Sequence, residues 1–196
     1  MEVAGTVAAK PWWRETIETI VWAFVLAMII RTFIVQAFWI PSGSMIPTLE
    51  VGDRVLVAKF WNWFFPPSRG SLYVFRYPVD RDRDFVKRVI AVPGDVVDIR
   101  DGIVYINGKP TNEPYVKYHD HFTLQAGRPY AEVPFTVPEG HYFMMGDNRP
   151  NSQDGRFWGL VSNADLHGPV FFRYWPVTRI GIPGWGEGAA GASSSR

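Results

Sequence analysis

At 196 residues the chain has room for one ordinary domain plus an appendage. Its 47% hydrophobic and 16% aromatic content excludes a disordered chain and allows a sizeable core. The 20 Lys+Arg and 19 Asp+Glu leave a net charge of +1, so no global field recruits nucleic acid; the absence of cysteine excludes disulfides, thiolate zinc sites and a cysteine nucleophile.

Residues 17–30, IETIVWAFVLAMII, are almost wholly apolar, and the run resumes after Arg31 as TFIVQAFWI. A bilayer-spanning helix needs about 20 apolar residues. With help from Trp12, Trp13 and a snorkelling Arg31, a transmembrane anchor is expected over 16–32, behind an N-terminal segment of residues 1–15. A buried core helix competes with this reading, because Glu18 and Arg31 shorten the apolar stretch. A cleaved signal peptide fits less well, since no small-residue A-x-A site follows Arg31. Lys10 and Arg14 before the helix, against Arg31 after it, favour a cytoplasmic N-terminus and an external remainder in a single-pass arrangement.

From residue 33 to 182 the chain reads as β. RVLVAKF, SLYVFRY, FVKRVIAV, VVDIR, IVYING, HYFMM and PVFFRYW are rich in Val, Ile, Phe and Tyr and are bounded by Gly, Pro, Asn and Asp. VVDIR-DG-IVYING is the clearest hairpin, because Asp101-Gly102 can adopt the positive φ values of a type I′ turn. The expected fold is mainly β: an N-terminal transmembrane helix, then a twisted, largely antiparallel β domain. Residues 109–134 break the strand rhythm and read as a small inserted subdomain. The Gly-, Ala- and Ser-rich end, 183–196, reads as a disordered tail.

Three segments could carry chemistry: PSGSMIPTL (41–49), FVKRVIAVPGD (85–95) and GDNRPNSQDGR (146–156). Singly, the first and third are ordinary turn and loop sequences, where Ser, Asn and Asp serve local backbone bonding. Lys87 is harder to dismiss. On a strand it shares a face with Phe85 and Val89, while Val86 and Ile90 take the other, so both faces are apolar. Desolvation there disfavours the ammonium and makes a neutral amine available as a base; the alternative is an edge-strand lysine that reaches water.

Together, in this order, the three segments resemble the type I signal peptidases, membrane-bound Ser–Lys proteases of bacterial export, over most of the chain from Phe38 onward. The resemblance implies a catalytic domain of signal-peptidase type, with Ser44 as nucleophile and Lys87 as general base. Ser42 and the backbone N–H of Ser44 would form the oxyanion hole, and Ser152 would orient the lysine amine. Asp147, Asn148, Asp154 and Arg156 would support the site. Phe38, Ile40, Pro41, Met45, Leu49, Phe85 and Val86 would line shallow pockets for the small residues of an A-x-A-like site; for Leu49 and Val86 a core role is an equal alternative. The implied partners are preprotein signal peptides and a lipid bilayer, with room for a functional association with the export translocon. The implied location is the bacterial plasma membrane, with the catalytic domain outside. No cofactor or metal is expected.

Other enzyme signatures are missing: no G-x-S-x-G, no S-x-x-K from Ser44, no H-E-x-x-H and no P-loop. His119 and His121 lie far in sequence from His141 and His167, and Asp80, Asp82 and Asp84 lack the calcium-loop glycine and terminal glutamate. Two rivals stay open: a self-cleaving Ser–Lys protease of the repressor type, against which the anchor argues, and a membrane-tethered β module that binds peptides by strand addition.

Overall fold

A computed structural model describes residues 11–29, 31, 34–127 and 129–184. Most of the expected tail and of the N-terminal segment, at 185–196 and 1–10, lies outside the described residues, as do Ile30 and Thr32 of the expected anchor.

The first element is helix α1, Trp12–Ile29. Glu15 sits in its first turn, where the helix dipole favours a carboxylate, and the hydroxyls of Thr16 and Thr19 donate back to the carbonyls of Trp12 and Glu15. The helix begins four residues before the expected anchor and so takes in Arg14 and Glu15 beside the Glu18 already within it. Among the described residues no helix is long and apolar enough to cross a membrane. Nor is α1 a core helix: every residue from Trp12 to Met28 is exposed, including Ile20, Trp22, Phe24 and Leu26.

The remainder is mainly β. Strands β1 (Val35–Trp39), β2 (Arg54–Ala58), β3 (Leu72–Arg76), β4 (Asp84–Ala91), β5 (Val96–Arg100) and β6 (Ile103–Ile106) are followed by β7 (Lys109–Pro110), β8 (Phe135–Thr136), β9 (His141–Met145), β10 (Val161–Ser162) and β11 (Leu166–Trp175). They form a seven-stranded sheet in the order β1-β2-β11-β3-β4-β9-β10 and a four-stranded sheet in the order β7-β6-β5-β8. Every strand pair is antiparallel, so the expected strand runs become one connected framework. The long β11 bonds both β2 and β3, tying the chain's end to its beginning.

The β5–β6 hairpin turns at Asp101 and Gly102, with φ of 47° and 77° and Arg100 opposite Ile103. Residues between β7 and β8 carry little regular structure, yet Val116, Leu124 and Tyr130 are buried. Leu124 and Tyr130 pack with Ile99, Val104, Phe135 and Phe143, so this loop closes the core of the smaller sheet. A second cluster, with Ile40, Met45, Leu49, Val55, Leu72 and Val170, fills the space beside β1–β3 and β11.

The hairpin turn depends on Gly102 twice over. Its φ suits glycine, and a Cβ there would lie 2.0 Å from the Asp120 carbonyl oxygen. Gly102→Ala is expected to cost on the order of 2 kcal/mol and to lower Tm by roughly 4–8 °C. A thermal melt followed by circular dichroism checks this.

Candidate active site

After β1 the chain makes a 3-10 turn over Gly43–Met45, carrying Ser44. Asn148, just past β9, grips this turn: its backbone N–H donates to the Ser44 carbonyl at 3.1 Å and its side-chain amide to the Gly43 carbonyl at 3.0 Å. Lys87 lies midway along β4, opposite Tyr73 of β3. Its Nζ donates to Ser44 Oγ at 2.6 Å, across 43 residues of sequence, with both side chains buried.

That amine is held below its ordinary range, at about 8. Burial is the main cause. Asp154 and Asp147 pull in the opposite direction, and the Arg156 charge adds to the lowering. The carboxylates act only at a distance because each is engaged by an arginine. Asp147, fully buried, accepts from Arg88 Nε at 2.8 Å, from a second Arg88 nitrogen at 2.5 Å and from the Thr48 hydroxyl at 2.5 Å. Asp154 receives Arg156 Nε at 2.8 Å, caps the short helix α2 (Gly155–Trp158) and accepts the Gly146 N–H at 3.0 Å. Arg156 reaches on to Asp120 at 2.6 Å and to the Arg149 carbonyl, while Arg149 pairs with Glu113 at 2.6 Å.

Gly146 is the point of closest approach. A Cβ there would lie 2.2 Å from Ser152 Oγ and 2.6 Å from the Ser44 carbonyl oxygen, so only glycine lets these two segments meet. Ser152 Oγ is buried and among the described residues makes no hydrogen bond; the amine's short contact goes to Ser44. Ser42, exposed at the N-terminus of the turn, places its Oγ 3.4 Å from Ser44 Oγ.

A cleft of about 650 Å³ opens over the pair. Phe38, Ile40, Pro41, Phe85 and Val86 line it with Ser42, Ser44, Lys87 and Ser152. Met45 and Leu49 do not. Both are fully buried in the cluster with Ile40 and Val55, because the tight turn that presents Ser44 sends its next neighbour inward. The structure adds residues for which the sequence reading had no signal: Thr48, Glu113, Asp120, Arg149 and, beside Lys87, Arg88. Strand alternation puts Arg88 on the face away from Lys87, but which carboxylate meets it is a tertiary matter.

Among the described residues no group of acidic or histidine side chains could hold a metal ion. His121 pairs with Asp101, and His167 with Asp84.

The chain is similar in sequence to known proteins. A family model described as "Signal peptidase, peptidase S26" matches residues 13–175. A Synechocystis protein named "Probable signal peptidase I-1" is 40% identical over 181 residues, covering 88% of each chain. "Signal peptidase I" of Leptolyngbya laminosa is 42% identical, covering 85% of this chain and 82% of its own. "Signal peptidase IB" of Staphylococcus aureus is 37% identical, covering 85% and 91%.

The buried amine sets a pH signature of its own. Unfolded, Lys87 keeps its proton up to about 10.4; folded, it loses it at about 8. Between those values the unfolded state binds more protons, so this group's unfavourable contribution is full below pH 8 and fades as pH rises. Lys87→Met is expected to gain up to about 3 kcal/mol at pH 7, with the gain shrinking towards pH 10. Urea unfolding across this range measures it.

Proposed function

Because the chain belongs to the signal peptidase family, peptidase S26, and is a peptidase of the signal peptidase I type, we propose that it removes signal peptides with Ser44 as nucleophile and Lys87 as general base. The observation that carries this reading is the 2.6 Å contact between a dry amine and a buried hydroxyl. A serine hydroxyl is a weak nucleophile until its proton is taken, and only an uncharged amine can take it. At about 8 the Lys87 amine is neutral in an appreciable fraction of molecules near pH 7.

Ser44 Oγ attacks the scissile carbonyl while Lys87 Nζ accepts its proton. The resulting ammonium then protonates the leaving amine, and water, activated by the same amine, releases the acyl-enzyme. Ser42 Oγ, beside Ser44 Oγ, and the Ser44 backbone N–H act as oxyanion donors. Ser152, a buried hydroxyl that lines the same cleft as Lys87 and has no partner among the described residues, is available to orient the amine during the reaction. Asp147, Asn148, Asp154 and Arg156 hold the two loops that carry these groups.

The cleft wall of Phe38, Ile40, Pro41, Phe85 and Val86 is apolar and suits the small side chains of an A-x-A-like site. The substrate is an exported preprotein, cut at the end of its signal peptide, and association with the export translocon would suit its delivery.

The chain meets a bilayer through α1. Among the described residues nothing covers α1, and its stretch over 20–28 is apolar on every side, which suits a non-aqueous environment. Its 18 residues extend about 27 Å, close to the roughly 30 Å of a hydrocarbon core, and its charges cluster at the N-terminal end. The charge pattern favours a cytoplasmic N-terminus and a catalytic domain outside a bacterial plasma membrane.

Ser44→Ala and Lys87→Ala are each expected to remove nearly all turnover of a precursor without unfolding the domain; processing at the parental rate by Lys87→Ala removes the base assignment. For the parent, kcat/KM is expected to rise with pH through about 8 as the amine loses its proton. A profile that stays flat from pH 6 to 10 contradicts it. Ser42→Ala is expected to lower kcat by about 10²–10³ with little change in KM, measured in steady-state assays.

A further inference from the structure

A second cavity, of about 670 Å³, shares no lining residue with the catalytic cleft. The two meet along β4, where Lys87 lines one and its neighbour Arg88 the other. Its walls are mostly apolar: Val35, Ala58, Phe60, Leu72, Val170 and Phe171. Its two lining arginines are already engaged, Arg69 by Asp95. Arg88 donates to Asp147, to Thr48 and to the Gly70 carbonyl, and its guanidinium stacks over Tyr115 at 3.9 Å. An occupant therefore needs to bring no charge, only apolar surface of the kind such cavities bury.

Position identifies the occupant. Val35 lies six residues beyond the end of α1, so the connecting chain can separate the cavity from the helix end by no more than about 20 Å. Trp61 and Ile182, both exposed, stand among the lining residues, and the adjoining Phe64 and Phe65 are exposed too, with the Trp61 and Phe65 rings 4.7 Å apart. An aromatic cluster beside an apolar cavity is the composition that favours a membrane–water interface.

We propose that this cavity takes the acyl chain of a bilayer phospholipid, at a site separate from the substrate cleft. The proposal rests on the reading of α1 as a bilayer segment. Through Arg88 the occupant touches the network that holds Asp147 and, one residue on, the Asn148 grip on the Ser44 turn.

The test uses the full chain reconstituted in phosphatidylglycerol–phosphatidylethanolamine vesicles that contain a lipid with a diazirine on its acyl chain, mapped residue by residue by mass spectrometry after illumination. Labels are expected on α1 and on cavity residues such as Phe60, Leu72 and Phe171. Ile182→Asp, at an exposed lining position, is expected to lower cavity labelling by about tenfold while α1 labelling is unchanged, and Ile182→Leu to retain both. Labelling of α1 alone, or of α1 with only Phe64 and Phe65, overturns the cavity proposal and leaves the bilayer reading standing. No labelling anywhere overturns both. Cavity labels that survive Ile182→Asp undiminished overturn it, and labels displaced by a saturating synthetic signal peptide give the cavity to the substrate instead.

Discussion

The site depends on an amine denied a counterion. Lys87 is buried, and among the described residues it makes no ion pair; its partner is a neutral hydroxyl. Two aspartates influence it electrostatically, and either would restore an ordinary lysine by moving into contact. Each is pinned by a bidentate arginine, Arg88 on Asp147 and Arg156 on Asp154. Buried pairs of this kind add little net stability, but breaking one leaves an uncompensated charge, which makes the arrangement all or none.

The framework supplies the rigidity this demands. Lys87 is fixed by a strand bonded in the centre of the larger sheet, whereas Ser44 and Asn148 sit on loops that leave β1 and β9. The loops are bound to one another rather than to solvent: backbone and amide bonds from Asn148, and the packing that only Gly146 permits, clamp the serine turn. Positioning by a sheet and closure by cross-linked loops is a general way to hold reacting groups within hydrogen-bond reach.

The same β4 strand divides two environments. One side presents the amine to the cleft, while Arg88 on the other closes the floor of an apolar cavity near the end of α1.

Much of this was legible in the residues. Period-2 apolar runs located β2 to β6, β9 and β11, since alternation is a local consequence of pleat and burial, and Asp101-Gly102 named its own turn. An apolar wall around Lys87 pointed to a depressed amine before any partner was known. The sequence could not say where α1 begins, because hydropathy counts against Arg14 and Glu15, whereas an exposed first turn accommodates both. Nor could it separate cleft from core: Met45 and Val86 are both apolar residues of the matching segments, yet one faces inward and the other lines the opening. The sequence by itself determined the β framework, the apolar N-terminal helix and the residue types able to act as nucleophile and base. Only the tertiary structure decided which aspartate meets which arginine, that Ser152 keeps a free hydroxyl and that Lys87 stays without a counterion, because those contacts join residues tens of positions apart and depend on how strands and loops pack.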